Sequence, residues 1–300
     1  MKIINIKGNT FCIDTGMTYI PFYKISERDI IMLDSGWFRG ERKGIDELID
    51  KNNYKIKAII CTHFHIDHVG NCRYLKDKHK CIIAMPAYEA LVCHSAINLK
   101  LYYSTQTLSD VMTHYGEAIF KTDVLLPTDS KDINIEGSEF KVLQLPGHSP
   151  SHIGLITPDD VVYLGDSLIS YNVMKNAKMP YAYILLQDLQ TKEKLYELKY
   201  NKYVIAHKGI YNDITKLITD NIEFYKGRAM GVYSVITNYM TMEDILKASV
   251  EKFKIDVKTS YKYNFMERML RSYVEYLDEI GLIKLEIKEG FLKYCKVNKI

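Results

Sequence analysis

The chain has 300 residues, 47% of them hydrophobic and 26% charged, with a formal net charge of +3. That length accommodates a domain of ordinary enzyme size plus a smaller module, and the hydrophobic share supplies a core. No apolar run is long enough to span a membrane, and so small a positive excess is weak beside the electrostatic footprint of a nucleic-acid-binding protein. Met1-Lys2-Ile3-Ile4-Asn5 leads into strand-like sequence without the apolar region of a signal peptide. Cys12, Cys61, Cys72, Cys81, Cys93 and Cys295 are scattered and form no Cys-x-x-Cys pair. Reduced, buried thiols and a cytoplasmic location are expected.

Along the chain, Ile30-Ile31-Met32-Leu33 is an apolar run of strand length that ends in Asp34-Ser35-Gly36. Gly44 to Asn52 sets Ile45, Leu48 and Ile49 on one helical face. Ala58-Ile59-Ile60-Cys61 reads as a buried strand, and Thr62-His63-Phe64-His65-Ile66-Asp67-His68-Val69-Gly70 follows it directly. Imidazole nitrogen and carboxylate oxygen at this density suit zinc or a similar divalent ion better than calcium or magnesium. His63 and His65, alternate residues on an extended loop, can converge on one ion, while Asp67 and His68 face a neighbouring position. Asn71 to Lys78 reads as a short charged helix and Ile82-Ile83-Ala84 as a strand. Pro86 to Phe120 holds Tyr88, His94, Tyr102, Tyr103, His114 and Tyr115, and helices over the site mouth are expected there. Ordinary packing is the more expected role of those aromatics, a substrate pocket the less expected one.

Three further strands end in ligand-type residues. Val142, Leu143 and Leu145 lead into a Pro146-Gly147 turn that aims His148, with His152 as its rival. Val161-Val162-Tyr163-Leu164 ends in Gly165-Asp166, and Val204-Ile205-Ala206 ends in His207. Between them, Tyr171, Tyr181 and Tyr183 have the better positional claim on a pocket, and Thr191 to Leu198 reads as a short charged helix. Ile214 to Lys226 carries apolar residues at helical spacing, and a boundary near Gly227 divides residues 1–227 from 228–300. Beyond it, Thr241 caps a helix and a second helix runs from about Asn264 to Ile280, stopped by Gly281. Ile283, Leu285 and Ile287 alternate with charges, Glu289-Gly290 turns, and Phe291 to Val297 returns. Helices followed by a hairpin resemble a winged-helix module. Residues 228–300 hold 13 Lys+Arg against 10 Asp+Glu, notably Lys252, Lys254, Lys258, Lys262, Arg268 and Arg271. A solvated face on a packing or dimerisation module is the more expected reading of that charge, which leaves an oligomer of identical chains open.

His63-x-His65-x-Asp67-His68, followed in order by His148, Asp166 and His207, closely resembles the metallo-β-lactamase superfamily over about the first three quarters of the chain. The resemblance implies an α+β fold, an αββα sandwich with the metals at one edge, here with a small C-terminal winged-helix-like domain. It also implies that His63, His65 and His148 hold one divalent ion, that Asp67, His68 and His207 hold a second, and that Asp166 bridges them. His152 would then support the ligands from behind. Zinc is the expected metal, with iron or manganese as alternatives. A His at position 65, where diiron redox relatives carry Glu, argues against oxygen chemistry.

Two such ions roughly 3.5–4 Å apart can share a hydroxide at neutral pH and polarise an attacked oxygen, so no Ser or Cys nucleophile is needed. Asp67 is the expected catalytic carboxylate, orienting the hydroxide and passing a proton to the leaving group. The combination with a winged tail resembles the lactamase-like protein family, which includes glyoxalase-like hydrolases and an endoribonuclease. A small ester, thioester or lactone is the expected substrate, because residues 1–227 carry no net charge. A metal-dependent endoribonuclease is one alternative. A ligand-sensing regulator with a DNA-binding winged tail is the other.

Overall fold

A computed structural model describes residues 1–297. Strands β1 (Lys2–Lys7), β2 (Thr10–Asp14), β3 (Tyr19–Lys24) and β4 (Asp29–Leu33) form an antiparallel meander. Strands β5 (Lys55–Ile60), β6 (Ile82–Pro86) and β7 (Val124–Leu126) extend it in parallel, through crossovers carrying α1 (Arg42–Lys51), α2 (Ile66–Val69), α3 (Cys72–His79), α4 (Ala87–Cys93), α5 (Ala96–Tyr102) and α6 (Leu108–Tyr115). A second sheet runs in the order β13-β12-β11-β10-β9-β8. Its strands are β8 (Asp132–Ile135), β9 (Ser138–Gln144), β10 (Ile153–Ile156), β11 (Val162–Tyr163), β12 (Tyr203–Ile205) and β13 (Gly209–Tyr211). Between them lie α7 (Tyr171–Asn176) and α8 (Leu185–Lys194), and after them come α9 (Thr215–Val235), α10 (Met242–Phe253), α11 (Ser260–Glu279) and a hairpin of β14 (Ile283–Lys288) and β15 (Phe291–Lys296).

Alternation along each strand builds the layers, because successive side chains leave a sheet on opposite faces. Ile31, Leu33, Ala58 and Ile60 meet Phe140, Val142, Leu155, Tyr163 and Val204 in the core between the sheets. Ile30, Met32 and Ile59 turn the other way, against Ile45 and Ile49 of α1 and Leu75 of α3. On the far side, Val162, Leu164, Tyr203 and Ile205 pack on Leu217 and Ile218 of α9. The result is helices, sheet, sheet, helices, the expected αββα sandwich. Strands β5, β9, β11 and β12 all release the chain at one edge of it, and no helix among the described residues is long and apolar enough to cross a membrane.

Three expectations change. No break occurs at Gly227, which lies on the exposed side of α9 while Tyr225, Ala229 and Val232 are buried. A glycine there costs the helix only about 1 kcal/mol, which tertiary packing overrides. The helix expected from Thr191 begins at Leu185 instead and closes in a 3-10 turn at Leu195–Glu197. The helix expected from Asn264 begins at Ser260, where Thr259 accepts a hydrogen bond from the Lys262 amide. Thr241 and Asp244 form a full capping box at α10, and the hairpin turns through Glu289 and Gly290, both at positive φ. The tail packs on Met179, Leu185 and Leu189 as well as on α9, so its core is shared with the sandwich.

Candidate metal centre

Asp34 organises the site from behind. It ends β4 with φ 66°, is fully buried, and accepts hydrogen bonds from the Thr62 amide (2.7 Å), the Thr62 hydroxyl (2.9 Å) and the Tyr163 hydroxyl (2.7 Å). His68 Nδ1 lies 2.8 Å from the same carboxylate, and His63 Nδ1 lies 2.9 Å from the Thr62 hydroxyl. With its proton given to Asp34, that hydroxyl is an acceptor for His63 Nδ1–H. His63 is thereby held in the tautomer that turns an Nε2 lone pair outward, and Asp34 fixes His68 by its Nδ1, so that Nε2 faces the site.

Two groups of ligand-type atoms converge at the strand ends. His63, His65, His148 and Asp166 form one, and Asp67, His68, Asp166 and His207 the other, with the atoms of each group within 4.8 Å of one another. His65 Nδ1 stands 3.0 Å from His63 Nε2 and 2.9 Å from His148 Nε2. A tetrahedral ion with nitrogen ligands at 2.0–2.1 Å would set them about 3.3 Å apart. Asp166 Oδ2 lies 3.3 Å from His148 Nε2 and 3.4 Å from His207 Nε2, and Oδ1 lies 3.3 Å from His68 Nε2. Asp67 Oδ2 is 3.3 Å from His207 Nε2. Asp166 Oδ1 and His68 Nε2 are buried without a hydrogen-bond partner, which a buried polar atom avoids unless something else satisfies it. All seven donors are nitrogen or oxygen, so the residues fit a pair of divalent ions of the zinc type.

The two groups carry different protons. Burial, reinforced by neighbouring imidazoles, holds His63 and His65 well below the usual histidine range, and burial lowers His148 as well. In the other group, burial would lower His68, but Asp166, Asp34 and Asp67 together hold it well above. Asp166 above all pushes His207 up to about 10. Burial would raise Asp67 and Asp166, yet the cationic His68 and His207 hold both below the carboxylate range.

The loops that carry these side chains are pinned from outside. The Gly147 carbonyl accepts from the amides of Tyr183 and Ile184, and Thr191 Oγ1 donates to the Pro146 carbonyl at 2.6 Å. Gly147 has φ 127°, and a Cβ there would run into the Asp188 backbone. Behind the turn, Lys192 and Asp188 form a fully buried ion pair with Lys192 Nζ 4.4 Å from the Tyr225 ring centre. His152 is outside both ligand groups. Its Nε2 accepts from the Asp166 amide at 3.1 Å, so it fixes the backbone of Asp166 rather than the edge of another imidazole.

A cavity of about 200 Å³ opens over the groups, lined by His65, Asp67, His148 and Asp166 below and by Tyr103, Tyr115, Tyr181, Phe265 and Arg268 above. Tyr103 and Tyr115 therefore belong to the pocket as well as to the core. Tyr183 lines an adjoining cleft, whereas Tyr171 points away beside Lys216. Two residues escaped the sequence reading. Glu89 accepts from the Phe64 amide, the Ser149 hydroxyl and the Ser151 amide, tying the His65 and His148 loops together, and burial raises it to about 6. A lone carboxylate in the apolar run Ala87 to Cys93 was the available signal. Arg268, counted with the solvated charge of the tail, lies instead in the pocket; its alignment with Tyr261 and Phe265 on one face of α11 was the clue.

The sequence profile of the Metallo-beta-lactamase superfamily matches residues 7–207. Among curated proteins, hydroxyacylglutathione hydrolase GloC of Haemophilus influenzae is 26% identical over 63% of this chain and 84% of its own length. Hydroxyacylglutathione hydrolase 1 of Vibrio vulnificus is 30% identical over 58% of this chain, which spans 64% of that protein. Among solved structures, a beta-lactamase domain protein from Burkholderia ambifaria superposes with a TM-score of 0.72 at 14% identity, over 99% of this chain and 94% of that one. A metallo-beta-lactamase family protein from Thermus thermophilus does so at 0.69 and 16% identity, over 93% and 94%. Those two likenesses carry the fold through the tail. With the profile match spanning more than half of its length and the ligand-type residues gathered at one sheet edge, the chain belongs to the metallo-beta-lactamase superfamily of metal-dependent hydrolases.

Proposed function

We propose that His63, His65 and His148 hold one zinc ion, that Asp67, His68 and His207 hold a second, and that Asp166 serves both, in an enzyme that hydrolyses a small thioester or ester. The observation that carries this reading is the pair of four-residue groups sharing Asp166. The names of the curated relatives, hydrolases of hydroxyacylglutathione, favour the thioester. When bound, the ions supply water acidified to near neutral pH and a Lewis acid for the attacked oxygen. Asp67, ionised and facing the cavity, orients the attacking water with one Oδ and takes up its proton for the leaving group. Tyr103, Tyr115 and Tyr181 wall the reacting bond off from bulk water. Residues 228–300 act in this reading as a wall of the pocket, through Phe265 and Arg268, rather than as a nucleic-acid module. Six free, buried cysteines suit a reducing compartment such as the cytoplasm.

The test is elemental analysis of protein purified without chelator, joined to activity screening on thioesters, esters, lactones and single-stranded RNA. Two metals per chain and thiol release from a thioester are expected. A stoichiometry well below one that added metal does not restore would overturn the metal assignment. RNA cleavage that disappears on His63→Ala, with every acyl substrate ignored, would overturn the acyl assignment.

A further inference from the structure

Arg268 reaches from α11 to the junction of two cavities, the one of about 200 Å³ over the ligand groups and a cleft of about 450 Å³ beside it. Its guanidinium carbon lies 4.6, 4.5 and 4.9 Å from the ring centres of Tyr102, Tyr103 and Tyr181. Those π faces attract the charge without offering a lone pair to its N–H donors. Arg268 Nε and Nη1 are buried with no hydrogen-bond partner, and among the described residues no carboxylate forms an ion pair with Arg268. An arginine cannot shed its proton to relieve that burial. Tyr181, whose ring also lies 5.4 Å from that of His65, joins the guanidinium to the metal-binding groups.

Resting on the hydrolase reading above, we propose that the substrate carries an anionic group close to its scissile bond, and that Arg268 receives it. A carboxylate meets the requirement best, since its planar pair of oxygens matches two in-plane donors. The inner cavity is small beside pockets that take drug-sized ligands, so the group entering it is short. A half-thioester of a short dicarboxylic acid has this form, with the remainder of the molecule lying in the larger cleft. Tyr102, Tyr103 and Tyr181 position the guanidinium but leave its donors free.

The experiment compares two N-acetylcysteamine thioesters, succinyl and its neutral methyl-ester counterpart, by thiol release from the metal-loaded full chain. The wild-type protein should favour the anionic substrate by roughly 10- to 150-fold in kcat/KM, the range expected for hydrogen bonds to a charged group. Arg268→Met should bring that ratio close to one, and Arg268→Lys should retain part of it. No preference in the wild-type protein, or a ratio that survives Arg268→Met, would overturn the proposal, whether or not every variant folds. If neither thioester is cleaved, the thioester form of the hydrolase reading has failed, and binding decides the proposal separately. Free succinate should then raise the melting temperature of the wild-type protein and not that of Arg268→Met; an absent or unchanged shift would overturn it.

Discussion

The ligand groups on either side of Asp166 differ in charge and in exposure. His63 and His148 are buried and His65 is half-buried, all three are held neutral, and Thr62 and the Gly147 turn back them. His207 and Asp67 keep 27% and 33% of their side-chain surface exposed, and with His68 and Asp166 they form a network of ionised groups. The first group is ready for a cation without moving a proton. The second must exchange protons for one. Local sequence density does not create this difference, since His65, Asp67 and His68 are near neighbours in the chain. The number of carboxylates facing each imidazole creates it.

Asp166→Ala should break both groups at once and have the largest effect. Elemental analysis should show loss of metal, and activity should fall by more than the roughly 10–100-fold expected from removing a supporting residue. His152→Ala, which removes the acceptor of the Asp166 amide and a contact with the Ser167 hydroxyl but no member of either group, should stay within that range. Equal losses in the two variants would mean that Asp166 does not join the groups.

Asp188→Ala should strike the first group alone. It leaves Lys192 buried without its partner, at a cost of roughly 3–5 kcal/mol in urea unfolding, and it loosens the turn that holds His148. Asp188→Leu combined with Lys192→Met should recover much of the stability. If the single variant is as stable as the wild type, the pair does not hold that turn.

Acidity should separate the groups. Raised histidines bind protons that an ion must displace, so affinity at Asp67, His68 and His207 should climb by about tenfold per pH unit for each proton released. Isothermal titration with zinc between pH 6 and 8 should show one strongly and one weakly pH-dependent event. In metal-free protein the sign is opposite for stability. The contribution of His207, whose folded value lies near 10, is fully present below its ordinary value of 6.5 and is lost as pH rises toward 10. Two events with the same pH dependence would erase the distinction between the groups.

The smallest effect concerns Glu89. Its folded value of about 6 lies above the ordinary 4.5, so its contribution to stability is fully present below pH 4.5 and is lost as pH rises through 6. About 2 kcal/mol should disappear across that window. Glu89→Gln should flatten this slope and add a constant penalty, because its amide nitrogen would face the Phe64 amide. Chemical denaturation at pH 4.5 and 6.5 measures both.

Much of this was legible in the sequence where information is local. The segment from Thr62 to Gly70 displays its ligand types close together in the chain, and the unbroken apolar runs of β4, β11 and β12 announce strands buried on both faces. The place of Asp34 at the end of an apolar run was visible, whereas its partners Tyr163 and His68 lie far along the chain. The failures share a cause, since whether a charge is solvated depends on partners that sequence proximity does not reveal. Lys192 fell in a segment read as a short charged helix and is instead half of a buried pair with Asp188. Arg268 was counted as surface charge and sits among three tyrosine rings. Gly227 looked like a stop and is a tolerated gap on the exposed side of α9.

The pocket over the ligands draws on three parts of the chain, with Tyr103, Tyr115 and Tyr181 walling it between the other two. Strand ends of the sandwich contribute its floor, and α11 contributes Phe265 and Arg268 to its roof. A substitution on α11 can thus change which molecule is admitted without touching a residue that would bind metal. Selection, natural or in the laboratory, can explore new substrates along one face of one helix while the reactive machinery stays intact. A library confined to that face would be small, and most of its members would keep the ligand groups whole.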